Sequence, residues 1–156
     1  MTSTDPDDLY DLDDVPASGP SRWAWRHADP GTAAALWLDL IDWVNWIVPR
    51  YELTGEAATI PPCWYRHPVA VEELTALMSA WQAAYHGKPQ APRDDLITWH
   101  DRWFWPSIDR LQTRAGWRSC IDGNSHQERK LRRWTPDPHM TSFVAQGPGP
   151  PHDPTV

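Results

Sequence analysis

Residues 67–87, HPVAVEELTALMSAWQAAYHG, decide the fold. Pro68 suits the first position of a helix, where the missing backbone N–H would have had no partner. Val71, Leu74, Met78, Trp81 and Tyr85 follow at spacings of three and four, laying one apolar stripe along a helix. Gly87 offers the left-handed stop, and Glu72 and Glu73 near the start favour the positive end of the helix dipole. A stripe of this length must be covered by other apolar faces, which the flanking sequence has to supply.

Upstream, Asp29-Pro30 pairs an N-cap acceptor with a first-turn proline and predicts a helix over 30–48, stopped at Pro49. At roughly 100° per residue, Ala33, Leu36, Trp37, Leu40, Ile41, Val44, Ile47 and Val48 share one arc, with Trp43 at its margin. Trp46 falls instead in the polar sector of Asp39 and Asp42, either exposed or covered by another segment. Downstream, a third helix is expected from Asp94 or Asp95 with Leu96, Trp99 and Trp103 inward. Pro106 then kinks it or begins a new helix reaching about Ala115. WRSCIDGNSH (117–126) has turn chemistry, and QERKLRRW (127–134) reads as a short basic helix ended by Thr135-Pro136. The expected fold is all-α, a small bundle of three to four short helices around a Trp-rich core.

Composition supports that core. Large aliphatics are scarce and Phe numbers two, but the 156 residues include 12 Trp, each able to bury roughly 150–250 Å². The 17 Pro and 8 Gly point to irregular ends. Residues 1–21, with six Asp and no base before Val15, read as a disordered acidic tail; 22–144 as the Trp-rich helical domain; 145–156 as a disordered Pro/Gly-rich tail. That first tail accounts for most of the net charge of −7. Met1–Pro16 lacks an apolar secretory segment, so a cytoplasmic location is expected. Gly31–Val48 is interrupted by Asp39, Asp42 and Asn45 and is shorter than the roughly 20 apolar residues of a membrane span. Two cysteines exclude a disulfide scaffold and leave thiols that are free or metal-bound.

The most pointed constellation is Cys63-x3-His67 with Cys120-x5-His126. Zinc accepts two Cys and two His tetrahedrally, and such a site would join the start of the second helix to the turn after the third. The close Cys pair of standard fingers is missing. The alternative has no cofactor: two buried thiols, His67 as a helix-start residue and His126 on a solvated turn.

His100-Asp101 resembles a catalytic pair, but adjacent helical residues diverge by about 100°. His100 falls within the apolar arc, where a ring hydrogen-bonded to a backbone carbonyl is the simpler reading. No nucleophile motif accompanies it, and the chain is read as non-enzymatic.

An anionic surface could be met by Arg110, Arg114 and Arg118, recurring every four residues although Gly116 is expected to end their helix, and by Arg129, Lys130, Arg132 and Arg133 beside Trp134. Bases next to an exposed aromatic suit phosphate neutralisation with base stacking. The competing reading is a solvated face paired with the acidic tail. Trp23, Trp25, Trp46 and Trp105 exceed the needs of a three-helix core and make a candidate protein-binding surface. Alternatively Trp23 and Trp25 fold back over the first helix and cover Trp46.

IPPCWYRHPVAVEELTALMSAWQAAY, then ITWHDRWFWPSIDRL and a Trp-Cys-His segment, resemble an uncharacterised actinobacterial family of small Trp-rich helical proteins found on plasmids, integrative elements and phages. The resemblance covers under half the chain and implies a mobile-element setting without a mechanism. The expected function is a non-catalytic interaction or accessory protein of such an element, binding a protein partner through a Trp-lined surface, with no membrane partner. The alternative is a structural-zinc helical module contacting nucleic acid through segment 110–133.

Overall fold

The computed structural model describes residues 19–86 and 92–147. The fold is all-α: among the described residues the only β feature is an isolated bridge between Thr54 and Thr59. α1 spans Pro30–Arg50 and α2 spans Pro68–Tyr85. A third rod is built from α3 (Asp95–Thr98), a π turn (Trp99–Phe104) and α4 (Trp105–Arg114). α5 (Arg118–Asp122) and α6 (Met140–Ala145) are short. Single 3₁₀ turns at Trp25–His27 and Trp64–Arg66 precede α1 and α2. α2 is the hub, packing against α1, the 64–66 turn and every part of the third rod.

Local chemistry accounts for the boundaries. Asp29 accepts from the Gly31 and Thr32 amides at 2.9 and 3.1 Å and takes the Thr32 hydroxyl at 2.6 Å, satisfying donors that the first turn of α1 leaves free. These bonds hold its carboxyl below the usual carboxylate range. Pro49 does not stop α1, contrary to expectation. The Tyr51 amide still reaches the Ile47 carbonyl at 2.9 Å, so the missing Pro49 N–H costs one bond in the last turn. The helix expected at 127–134 is also absent: the segment is irregular and exposed, because a short helix without a packing face is marginal in water. Conversely, α6 was not foreseen, and the tail expected from residue 145 begins inside it. The acidic tail to residue 18, the Gly87 stop and the Pro/Gly tail beyond 147 lie outside the described residues.

The core mixes aliphatics and indoles. Leu36, Leu40, Val44, Ile47, Leu74, Met78, Ile108 and Leu111 are buried with Trp43, Trp64, Trp99, Phe104 and Trp117. Within α1, Trp43 is in the core and Ile41 is 42% exposed, so the buried arc is rotated from the one expected. Glu72 and Glu73 lie beyond the first turn of α2, and Glu73 reaches across to Arg110 at 2.6 Å.

The π turn corrects the third rod. Widening the helix by one residue per turn puts Trp99 and Phe104, five apart, on one face, where their rings stack at 4.8 Å. Trp103, expected inward, is 54% exposed. Pro106 explains the widening: it lacks an N–H and its ring would clash with the carbonyl of Arg102, which an ordinary α turn would hold against it. His100 follows its simpler reading. Its Nδ1 lies 2.8 Å from the Leu96 carbonyl, and Nε2 accepts from the Tyr51 hydroxyl at 3.0 Å.

Candidate metal centre

Two local devices bring the Cys/His pairs together. Pro61 and Pro62 lead into the 64–66 turn, which buried Trp64 pins to the core; Cys63 sits at the head of that turn and His67 at its exit. His67 occupies the N-cap position of α2, but its ring makes no capping bond and is left for other work. On the other side, α4 ends at Arg114 and is followed by Gly116, whose φ of +70° is a left-handed conformation that favours glycine. The chain reverses there into buried Trp117 and α5, which carries Cys120. Asn124, at φ +49°, then returns the chain so that His126 faces Cys120.

Ligating atoms of Cys63, His67, Cys120 and His126 lie within 4.8 Å of one another. His67 Nε2 is 3.6 Å from Cys63 Sγ and 3.5 Å from Cys120 Sγ, and His126 Nδ1 is 3.8 Å from Cys120 Sγ. A tetrahedral zinc with its usual bond lengths sets S···N edges of about 3.5–3.6 Å. The four side chains therefore stand close to the corners of one coordination tetrahedron. His67 and Cys120 are buried and the other two half-buried, beside a cleft of about 230 Å³ that reaches Cys63, Cys120 and His126.

The surroundings orient these groups. A backbone hydrogen bond with Ala115 engages the His67 ring, while His126 Nε2 faces Glu128 at 3.5 Å. Glu128 in turn meets Arg66 at 3.2 Å. Metal-binding imidazoles commonly have such a carbonyl or carboxylate behind them. The Gln127 amide donates to Cys120 Sγ at 3.3 Å, which holds the sulfur in place beside His67. Burial, then His126, pushes the His67 pKa down; burial, then neighbouring Cys120, pushes the Cys63 thiol up. Without a cation His67 and Cys63 both favour their neutral forms, and a bound metal would displace the Cys63 proton. Glu128, Gln127 and Ala115 were not singled out in the sequence, since nothing in their spacing marks them.

The other candidate residues do not converge. Arg110 is clamped by Glu73 and Ser107, and Arg118 pairs with Asp122 at 3.3 Å on a different helix from Arg114. The row of three arginines is therefore interrupted at Gly116, the residue expected to end that helix. Arg129 lies against Gly116, whereas Lys130, Arg132 and Arg133 are exposed and Trp134 is 79% exposed. Trp25 is not free surface: its indole N–H donates to Thr75 at 2.9 Å and its ring meets Trp37 at 4.9 Å. Trp23 also packs against the core. Neither covers Trp46, which contacts Trp81 at 5.2 Å and stays 41% exposed; Trp105 is 44% exposed.

Comparison with known proteins finds no matching family model, no matching curated protein and no matching solved structure. No helix among the described residues is long and apolar enough to cross a membrane.

Proposed function

We propose that this chain is a non-catalytic helical module held by one structural zinc ion, which presents the basic segment after its metal centre to the phosphates of a nucleic acid. The observation carrying this reading is the agreement between the three S···N distances around His67 and Cys120, 3.5 to 3.8 Å, and the edges of a zinc tetrahedron. Four protein ligands fill the coordination sphere and leave no position for a substrate or an activated water, the arrangement of structural sites. Support for the nucleic-acid role comes from position. Residues 127–134 follow His126 directly, carry Arg129, Lys130, Arg132 and Arg133, and end on exposed Trp134. An accessory role in a mobile genetic element, as the family resemblance implies, is compatible with such a module.

The test has two parts. Purified protein should contain one zinc per chain, lost from Cys63→Ser. Single-stranded DNA should shift the protein at low salt with an affinity that falls steeply as salt rises. Arg132→Ala with Arg133→Ala should weaken that binding without releasing zinc. Metal-free, fully folded protein would end the zinc reading, and no shift at low salt would end the nucleic-acid one.

A second reading, a protein partner held through a tryptophan surface, is favoured by Trp103 and Trp105 of the third rod, 54% and 44% exposed. Alanine at either position should then abolish partner capture while leaving the melting temperature nearly unchanged.

A further inference from the structure

The polar sector of α1 that holds Trp46 opens onto a second feature. Trp43, Trp46 and Trp81 line a cleft of about 330 Å³ between α1 and α2, with Met78 also lining it. The rings do not stack: Trp46 and Trp81 are 5.2 Å apart and inclined at 51°, Trp43 and Trp81 6.4 Å apart at 54°. The three tilted indoles thus share the lining of one cleft, Trp43 at its buried base and Trp46 at its exposed side. Asp39 and Asp42 stand on the same lining. A cation is attracted by the negative faces of indole rings, and methyl groups on it fill an apolar corner that a hydrated ammonium would leave.

The protein already places a cation here. Arg22 lines the cleft, meets Asp39 at 2.6 Å and lies 4.6 Å over the Trp23 ring. Its side chain is 57% exposed, so it sits at the rim and can swing out.

We infer that the cleft between Trp43, Trp46 and Trp81 binds a trimethylammonium group, held by the indole faces and by the carboxylates of Asp39 and Asp42. That headgroup is carried either by a free small molecule or by a methylated lysine side chain. The cleft shares no residue with the metal centre, so the inference stands apart from the zinc reading.

The experiment is a titration of the full-length, zinc-replete protein with tetramethylammonium chloride, followed by the indole N–H signals in ¹H–¹⁵N spectra. Sodium chloride at equal ionic strength is the control. Saturable movement of a few indole signals is expected, lost in Trp46→Ala and weakened about tenfold in Asp42→Asn. Movement that matches sodium chloride, or that persists unchanged in Trp46→Ala, would overturn the inference. Asp42→Asn, on the surface, provides the decisive comparison should Trp46→Ala fail to fold. Zinc content is measured in every variant and should not change. A trimethyllysine peptide is titrated alongside its unmodified form. Selective binding tighter than tetramethylammonium assigns a side-chain source; binding no tighter assigns a free small molecule.

Discussion

Cys120 Sγ lies 3.5 Å from His67 Nε2 although 53 residues of chain separate them. One residue belongs to α5 and the other to the head of α2, so a shared cation would fasten two elements that reach the core by separate routes. Much of the chain's testable behaviour follows from that junction.

Replacing one ligand should therefore do more than remove a metal. Cys120→Ser is expected to lose zinc and to destabilise the fold by on the order of 4 kcal/mol, the range in which metal loss falls. Thermal melting with and without a chelator measures this: the chelator should lower the melting temperature of the wild type and leave the variant unmoved.

Gly116 governs the approach of Cys120 to His67. An added Cβ would overlap the Arg129 guanidinium and its Cδ stem, so that side chain must move, and the φ of +70° is unfavourable besides. Gly116→Ala should thus lose about 1–2 kcal/mol through the backbone alone and bind zinc more weakly. Gly116→Asn should be milder in both melting and competitive zinc titration, since Asn tolerates this conformation.

The π turn predicts opposite outcomes for two tryptophans four residues apart. Trp99→Ala, which empties a fully buried site, should cost about 3–5 kcal/mol in denaturant unfolding. Trp103→Ala, on the exposed face, should change stability by about 0.5 kcal/mol or less. Equal losses would show that the third rod is a regular α-helix.

Tyr51 should titrate late. Burial, and then the Tyr85 hydroxyl, push its pKa from the ordinary 10.0 up to about 12. The fold therefore prefers the protonated phenol. That contribution is fully present below pH 10 and is lost as pH rises through about 12. Ultraviolet difference titration should resolve one such tyrosine, missing from Tyr51→Phe. The same substitution removes the bond to His100 and should cost about 1 kcal/mol at neutral pH.

Much of the architecture was legible because helical spacing is a local property. The stripe from Val71 to Met78 and the Asp29-Pro30 start needed only their own neighbours to be read. The inward turn of Trp103 was misread because a single residue of π widening shifts every later position, and Pro106 signalled a disturbance without its form. Arg110 looked like part of a basic face because its partner, Glu73, lies on another helix. The basic helix at 127–134 failed for want of anything to pack against.

Residue types and short spacings by themselves determined that the chain is helical, that indoles share its core, and that two Cys/His pairs exist. Only the tertiary structure decided that those pairs meet, that Trp25 is spent on Thr75 and Trp37, and that Trp46 lines a cleft with two carboxylates. The physical reason is range: periodicity and capping act over a few residues, whereas a coordination sphere or an aromatic corner is assembled by packing elements far apart along the chain.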